Sequence, residues 1–120
     1  MSNQKPVVAI VDDDPRVLES LEELLESAGY QTSSFASADA FIGNGLGGID
    51  VLITDIGIPG VDGFQLRKWV LDRKPDMPVF LITGRHEIAD RSQAHGITGL
   101  FRKPYEGQSL LAAIEEAFGK

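Results

Sequence analysis

Residues 7–15 read VVAIVDDDP. Apolar, largely β-branched residues run without a break from Val7 to Val11 and then give way to three aspartates. A strand with one wet face alternates apolar and polar residues. A short run with no alternation suits a strand covered on both faces, as in parallel sheets. The figure recurs along the chain. Asp50–Thr54 (DVLIT) delivers Asp55, Val79–Thr83 (VFLIT) ends on a hydroxyl, and Ile97–Phe101 leads into Lys103-Pro104. Tyr30–Phe35 is a weaker, more polar strand of the kind found near a sheet edge.

Helical patterns fill the gaps. Asp-Pro after the first strand supplies an N-cap and a first-turn proline. Val17, Leu18, Leu21, Leu24, Leu25 and Ala28 then repeat with helical period until Gly29. Ser37 is placed to cap a short helix over Ala38–Ile42, with GNGLGG (Gly43–Gly48) as connector. Phe64–Asp72, Glu87–His95 and Ser109–Phe118 complete the predicted helices. Strand and helix alternate five times, which predicts one α/β domain over residues 1–120, with a parallel sheet and helices on both faces.

Composition narrows the function. The chain has 120 residues, 42% of them hydrophobic, enough for a single core. Eleven bases against 18 acids leave a net charge of −7, so no basic field draws in nucleic acid or an anionic membrane. There is no cysteine, which excludes disulfides and thiolate chemistry. Neither a long apolar span nor a signal-peptide h-region is visible, so the expected compartment is the cytoplasm. The acid is unevenly placed: residues 1–60 hold ten acids and two bases. Glu19, Glu22, Glu23 and Glu26 fall at helical spacing and read as a solvated face. Asp12, Asp13 and Asp14 have no basic neighbour before Arg16 and call for another explanation.

In open parallel sheets the site lies beyond the carboxyl ends of the strands, near the switch point in strand order. Those ends carry Asp12 and Asp13, Asp55, Thr83 and Lys103. Two carboxylates about 5 Å apart repel by roughly 3 kcal/mol at an effective dielectric near 20. A divalent cation such as Mg2+, held by carboxylates, a carbonyl and waters, relieves that repulsion. Carboxylate, metal, lysine and hydroxyl together suit phosphoryl transfer, with a carboxylate able to act as nucleophile.

The segments VAIVDDDP, DVLITDIGIPGVDG, VFLITG and LFRKP, in this order, resemble the receiver (response-regulator) domain of two-component signalling systems over the whole chain. The resemblance implies a doubly wound, flavodoxin-like (βα)5 fold with strand order 2-1-3-4-5. It implies that Asp55 accepts a phosphoryl group from the phosphohistidine of a histidine kinase or phosphotransfer protein. Mg2+ (or Mn2+) would bind Asp13, Asp55 and the Gly57 backbone carbonyl, with Asp12 acting mainly through water. Lys103 and Thr83 would contact the phosphoryl group, and the Lys103–Pro104 bond would be cis. The phosphorylated state would alter the face formed by the predicted helix at 87–95, the last strand and the last helix, and so control an effector domain, a downstream protein or a homodimer. Such a domain catalyses only its own phosphorylation and slow dephosphorylation. It has no diffusible substrate and is not an enzyme in the ordinary sense.

Several positions depart from the family pattern. Gly84 stands where alanine is common, and Gly57 and Arg85 occupy positions that modulate access of water to the aspartyl phosphate. The switch aromatic is displaced: Leu100 holds its usual position and Phe101 follows one residue later. A one-residue offset in a strand points the side chain to the opposite face. The remaining polar and aromatic residues have ordinary readings. Asp14 is a helix-start acid, Asp62 caps the helix beginning near Gly63, and His86 and His95 lack metal-ligand spacing. Phe64, Trp69 and Phe80 read as packing residues. Asp12-x-Asp14 also matches the nucleophile and acid of haloacid-dehalogenase-type phosphatases, but Pro15-Arg16 follows and no late acidic pair appears. A receiver-like module used only for protein binding is a third reading, disfavoured by the complete acid, threonine and lysine set.

Overall fold

The computed structural model describes residues 6–58, 60–83, 100–102 and 106–118. The continuous apolar runs form strands β1 (Val7–Val11), β3 (Val51–Asp55) and β4 (Val79–Thr83), with polar β2 (Gln31–Phe35) and short β5 (Leu100–Arg102) beside them. All pairings are parallel and the order is β2-β1-β3-β4-β5, as expected. Four helices accompany the sheet among the described residues: α1 (Pro15–Ser27), α2 (Ala38–Asn44), α3 (Gly63–Arg73) and α4 (Gly107–Ala117). The helix expected over Glu87–His95 lies outside the described residues, as do Gly84, Arg85, Lys103 and Pro104.

The alternating side chains of the buried strands divide into two layers. Ala9, Val11 and Leu52 point to one face and pack with Phe41 of α2 and Leu66 and Val70 of α3. Val8, Ile10, Val51, Ile53, Phe80 and Ile82 point to the other, against Leu21 and Leu25 of α1 and Leu110 and Ile114 of α4. Both faces are therefore apolar, and this is why these strands read as unbroken runs.

The helix ends follow their side-chain chemistry. Asp14 is the N-cap of α1, its Oδ1 accepting the Arg16 backbone N–H at 2.9 Å, with Pro15 in the first turn. Gly29 follows at φ +95°, a left-handed conformation suited to glycine. Ser37 caps α2 by accepting from the Ala40 N–H. That helix runs on through Gly43 and Asn44, beyond the expected Ile42, because buried Phe41 anchors it and Gly45 at φ +82° ends it. The last helix begins at Gly107 rather than Ser109. A Cβ at Gly107 would stand 3.1 Å from Leu24 Cδ1, so a residue without a side chain lets this turn close onto α1.

Two of the four glutamates read as a solvated face do more. Glu22 accepts a short hydrogen bond from Ser34 Oγ, and Glu26 accepts from Thr32 Oγ1 at 2.9 Å. The polar strand β2 is thereby tied to α1 through side chains.

Candidate functional site

The register sets the heights of the candidate residues. Val11 pairs with Thr54, so Asp12 and Asp55 stand level at the ends of neighbouring strands. Asp55 is the last residue of β3, not the first beyond it, and pairs with Ile82. Thr83 ends β4 one step further on and pairs with Arg102, the residue before Lys103. Asp12, Asp55 and Thr83 therefore meet at one rim of the sheet, beside the switch point where β1 connects onward to β2 on one side and β2 then connects to β3 on the other side of β1.

The environments of the three aspartates differ. Asp12 is only 4% exposed. Its backbone N–H donates to Phe35 O at 3.1 Å, and its Oδ1 accepts the Asp14 N–H at 2.9 Å, forming a tight Asx turn into α1. Asp13 is exposed on the same turn. Asp14 caps the helix and pairs with Arg16 at 3.3 Å, an exposed contact that holds the guanidinium above its usual pKa. The helix-start reading of Asp14 is thus correct, which leaves Asp12 and Asp13 for other work.

Asp55 is half-buried, and its surroundings fix both its backbone and its carboxylate. The Gly57 N–H donates to Oδ2 at 3.0 Å. The Thr54 hydroxyl, fully buried, donates to the Asp55 carbonyl at 3.0 Å. The Ile56 N–H donates to Ile82 O at 2.9 Å, and Ile56 O accepts from the Gly63 N–H at 2.9 Å. Asp62 caps α3 in a reciprocal box: its Oδ1 accepts from the Gln65 N–H and its own N–H donates to Gln65 Oε1, both at 2.9 Å. The cap expected at Asp62 is present. Thr54 and Gly63 are contributors that the sequence reading passed over. Thr54 lay inside an apolar run, and a buried hydroxyl beside a candidate acid was the available signal.

The oxygen-only donor set of Asp12, Asp13, Asp55 and the Gly57 carbonyl suits a hard cation such as Mg2+. Among the described residues no three histidine, aspartate or glutamate side chains are grouped into a metal cage. Mg2+ needs only one or two carboxylates and completes its shell with water, so the level pair Asp12 and Asp55 fits it.

On the far side of the rim, Phe101 pairs with Ile82 and its ring lies 6.1 Å from Phe80, in the layer under α1 and α4. Leu100 pairs with Leu81, one step along the strand and hence on the opposite face. The offset read from the sequence is real: the aromatic at Phe101 is packed into the α4 layer.

A family model described as the response regulator receiver domain matches residues 8–115. The chain belongs to the receiver domain family. Among its relatives, the response regulator protein TmoT of Ectopseudomonas mendocina is 34% identical over 98% of this chain and 54% of its own length. The transcriptional regulatory protein FixJ of Bradyrhizobium diazoefficiens is 32% identical over 92% of this chain and 55% of its own. The receiver domain spans about half the length of these curated relatives, and a quarter of another, the C4-dicarboxylate transport transcriptional regulatory protein DctD of Rhizobium meliloti. A solved CheY-like receiver domain protein from Methanospirillum hungatei superposes with a TM-score of 0.84 at 26% identity, covering 97% of this chain and 95% of the other. The fold is flavodoxin-like, as the resemblance implied. Receiver domains are signalling switches rather than ordinary enzymes, and as a family they depend on Mg2+. No helix among the described residues is long and apolar enough to cross a membrane.

Proposed function

We propose that this receiver domain is switched by phosphorylation of Asp55, with a histidine kinase or phosphotransfer protein as donor. The observation that carries the reading is the pairing of buried Asp12 with half-buried Asp55 at neighbouring strand ends, the Asp55 carboxylate held by the Gly57 N–H. Two acids in that position favour a cation, and a carboxylate of fixed orientation is suited to in-line attack. An Asp55 oxygen forms a bond to phosphorus while the phosphorus–nitrogen bond of the donor imidazole breaks. The imidazole nitrogen keeps the electron pair and takes up a proton.

Asp12, Asp13, Asp55 and the Gly57 carbonyl hold the metal in this reading. Bound Mg2+ or Mn2+ supplies positive charge to the phosphoryl oxygens. The Thr83 hydroxyl and the Lys103 ammonium donate to those oxygens. Water then cleaves the acyl phosphate and returns Asp55, at a rate set partly by Gly57, Gly84 and Arg85. The readout runs through Leu100 and Phe101 to the face of β5 and α4. The names of the relatives as transcriptional regulatory proteins favour a DNA-binding effector as the controlled partner.

Intact-mass measurement with a small phosphoryl donor such as phosphoramidate tests the reading. The expected result is a Mg2+-dependent gain of one phosphoryl group that Asp55→Ala abolishes and Asp14→Ala retains. A gain that survives Asp55→Ala and disappears with Asp12→Ala refutes it and points to a dehalogenase-type nucleophile instead.

A further inference from the structure

Gly63 opens α3 with no left-handed φ to require a glycine. The need is for space. A Cβ built there would stand 2.7 Å from Ile56 Cα, 2.9 Å from the Asp55 carbonyl oxygen and 3.2 Å from Ile56 N. All three are backbone atoms of the peptide that immediately follows Asp55, so no side-chain rotation relieves the contact. The same glycine donates its N–H to Ile56 O at 2.9 Å. On the opposite side the Ile56 N–H is held by Ile82 O at 2.9 Å. The peptide after Asp55 is thus clamped between β4 and the first turn of α3. One residue further on, the Gly57 N–H holds the Asp55 carboxylate at 3.0 Å.

We propose that Gly63 is a positioning residue for Asp55: its missing side chain lets α3 seat against the Asp55–Ile56 peptide and so aims the Gly57 N–H at the carboxylate. A Cβ at Gly63 pushes this peptide away from α3 and slackens the hold on Oδ2. The inference rests on Asp55 as the reactive group, but its structural half stands apart from that reading. The capping box of Asp62 and Gln65 pins the same junction from the helix side.

The test compares the full chain with Gly63→Ala, Gln65→Ala and, as a stability control in the core under α4, Ile114→Val. Two quantities are read: the maximal rate of phosphorylation by saturating phosphoramidate with Mg2+, and the chemical shift and exchange protection of the Gly57 amide by NMR. Gly63→Ala is expected to lower the maximal rate at least tenfold and to cut Gly57 protection at least tenfold. Ile114→Val leaves both unchanged after correction for stability. Unaltered Gly57 protection with an unaltered maximal rate in folded Gly63→Ala overturns the proposal. If Gly63→Ala does not fold, Gln65→Ala decides, with a several-fold loss of Gly57 protection expected and no loss refuting. If the parent chain takes up no phosphoryl group, the reading of Asp55 fails, and the Gly57 amide still decides whether Gly63 positions that carboxylate.

Discussion

Replacing Asp12 by asparagine is expected to make the metal-free domain more stable, even though it removes a buried group of the candidate site. Asp12 is 4% exposed and stands level with Asp55 on the neighbouring strand. Adjacent strands lie about 4.8 Å apart. At that separation two carboxylates repel by about 3 kcal/mol at an effective dielectric near 20. Asparagine removes one charge and keeps an Oδ1 acceptor for the Asp14 N–H, so the turn into α1 is retained. A cation shared by the two acids reduces the gain, so a stabilisation of about 1–3 kcal/mol is expected. For a chain of this length that corresponds to roughly 4–12 °C in Tm. The assay is thermal unfolding followed by circular dichroism, in chelator and in excess Mg2+. The parent should gain stability with Mg2+ by mass action, because the ion binds the folded state. Asp12→Asn should start higher in chelator and gain less from the metal. A variant that melts at or below the parent in chelator refutes the argument that carboxylate repulsion is stored at this rim.

Two further outcomes follow from the reading of the site and from the core. Arg85→Ala should change the half-life of the phosphorylated domain by several-fold in a phosphate-release assay, and an unchanged rate removes Arg85 from the modulating set. Burial, reinforced by the negative charge of Glu115, holds the Tyr30 phenol above its ordinary value of 10.0. The folded state therefore keeps its proton where the unfolded chain begins to lose it. The resulting contribution to stability is complete below pH 10 and is lost as pH rises through the raised value. Ultraviolet titration of a Tyr105→Phe variant should show the Tyr30 midpoint above 10.0, and a midpoint at or below it contradicts the burial argument.

The fold was legible because strands buried on both faces cannot alternate. VVAIV, DVLIT and VFLIT read as buried strands of a parallel sheet, and in such a sheet the acids after the first two fall at one rim. That the two strands are neighbours came from the family resemblance. The position of Asp14 as the cap was also legible, since aspartate before proline at a helix start has few other uses. What the sequence hid depends on contacts between distant segments. Glu22 and Glu26 look like any solvated glutamates until β2 is laid beside α1 and brings Ser34 and Thr32 to them. Gly63 looks like an ordinary turn residue after Asp62, because its importance is that a Cβ there would stand 2.7 Å from Ile56 Cα, which no local pattern encodes. Gly43 argued for a connector, yet Phe41 keeps α2 helical through Asn44. Packing overrode propensity there.

The ties between β2 and α1 also bear on how this chain behaves in company. β2 is the terminal strand of the sheet, and a terminal strand offers one row of backbone donors and acceptors to any passing chain. Long, flat, apolar edges of this kind seed fibrils and strand-exchanged aggregates. Here the edge is five residues long and begins Gln-Thr-Ser-Ser, and two of its hydroxyls are already committed to glutamates of its own helix. A second chain that docked there would find little apolar surface to bury and a strand whose side chains are anchored from behind. This edge thus carries its protection against self-association in polar side chains rather than in a proline or a bulge, which leaves the strand regular and fully paired to β1.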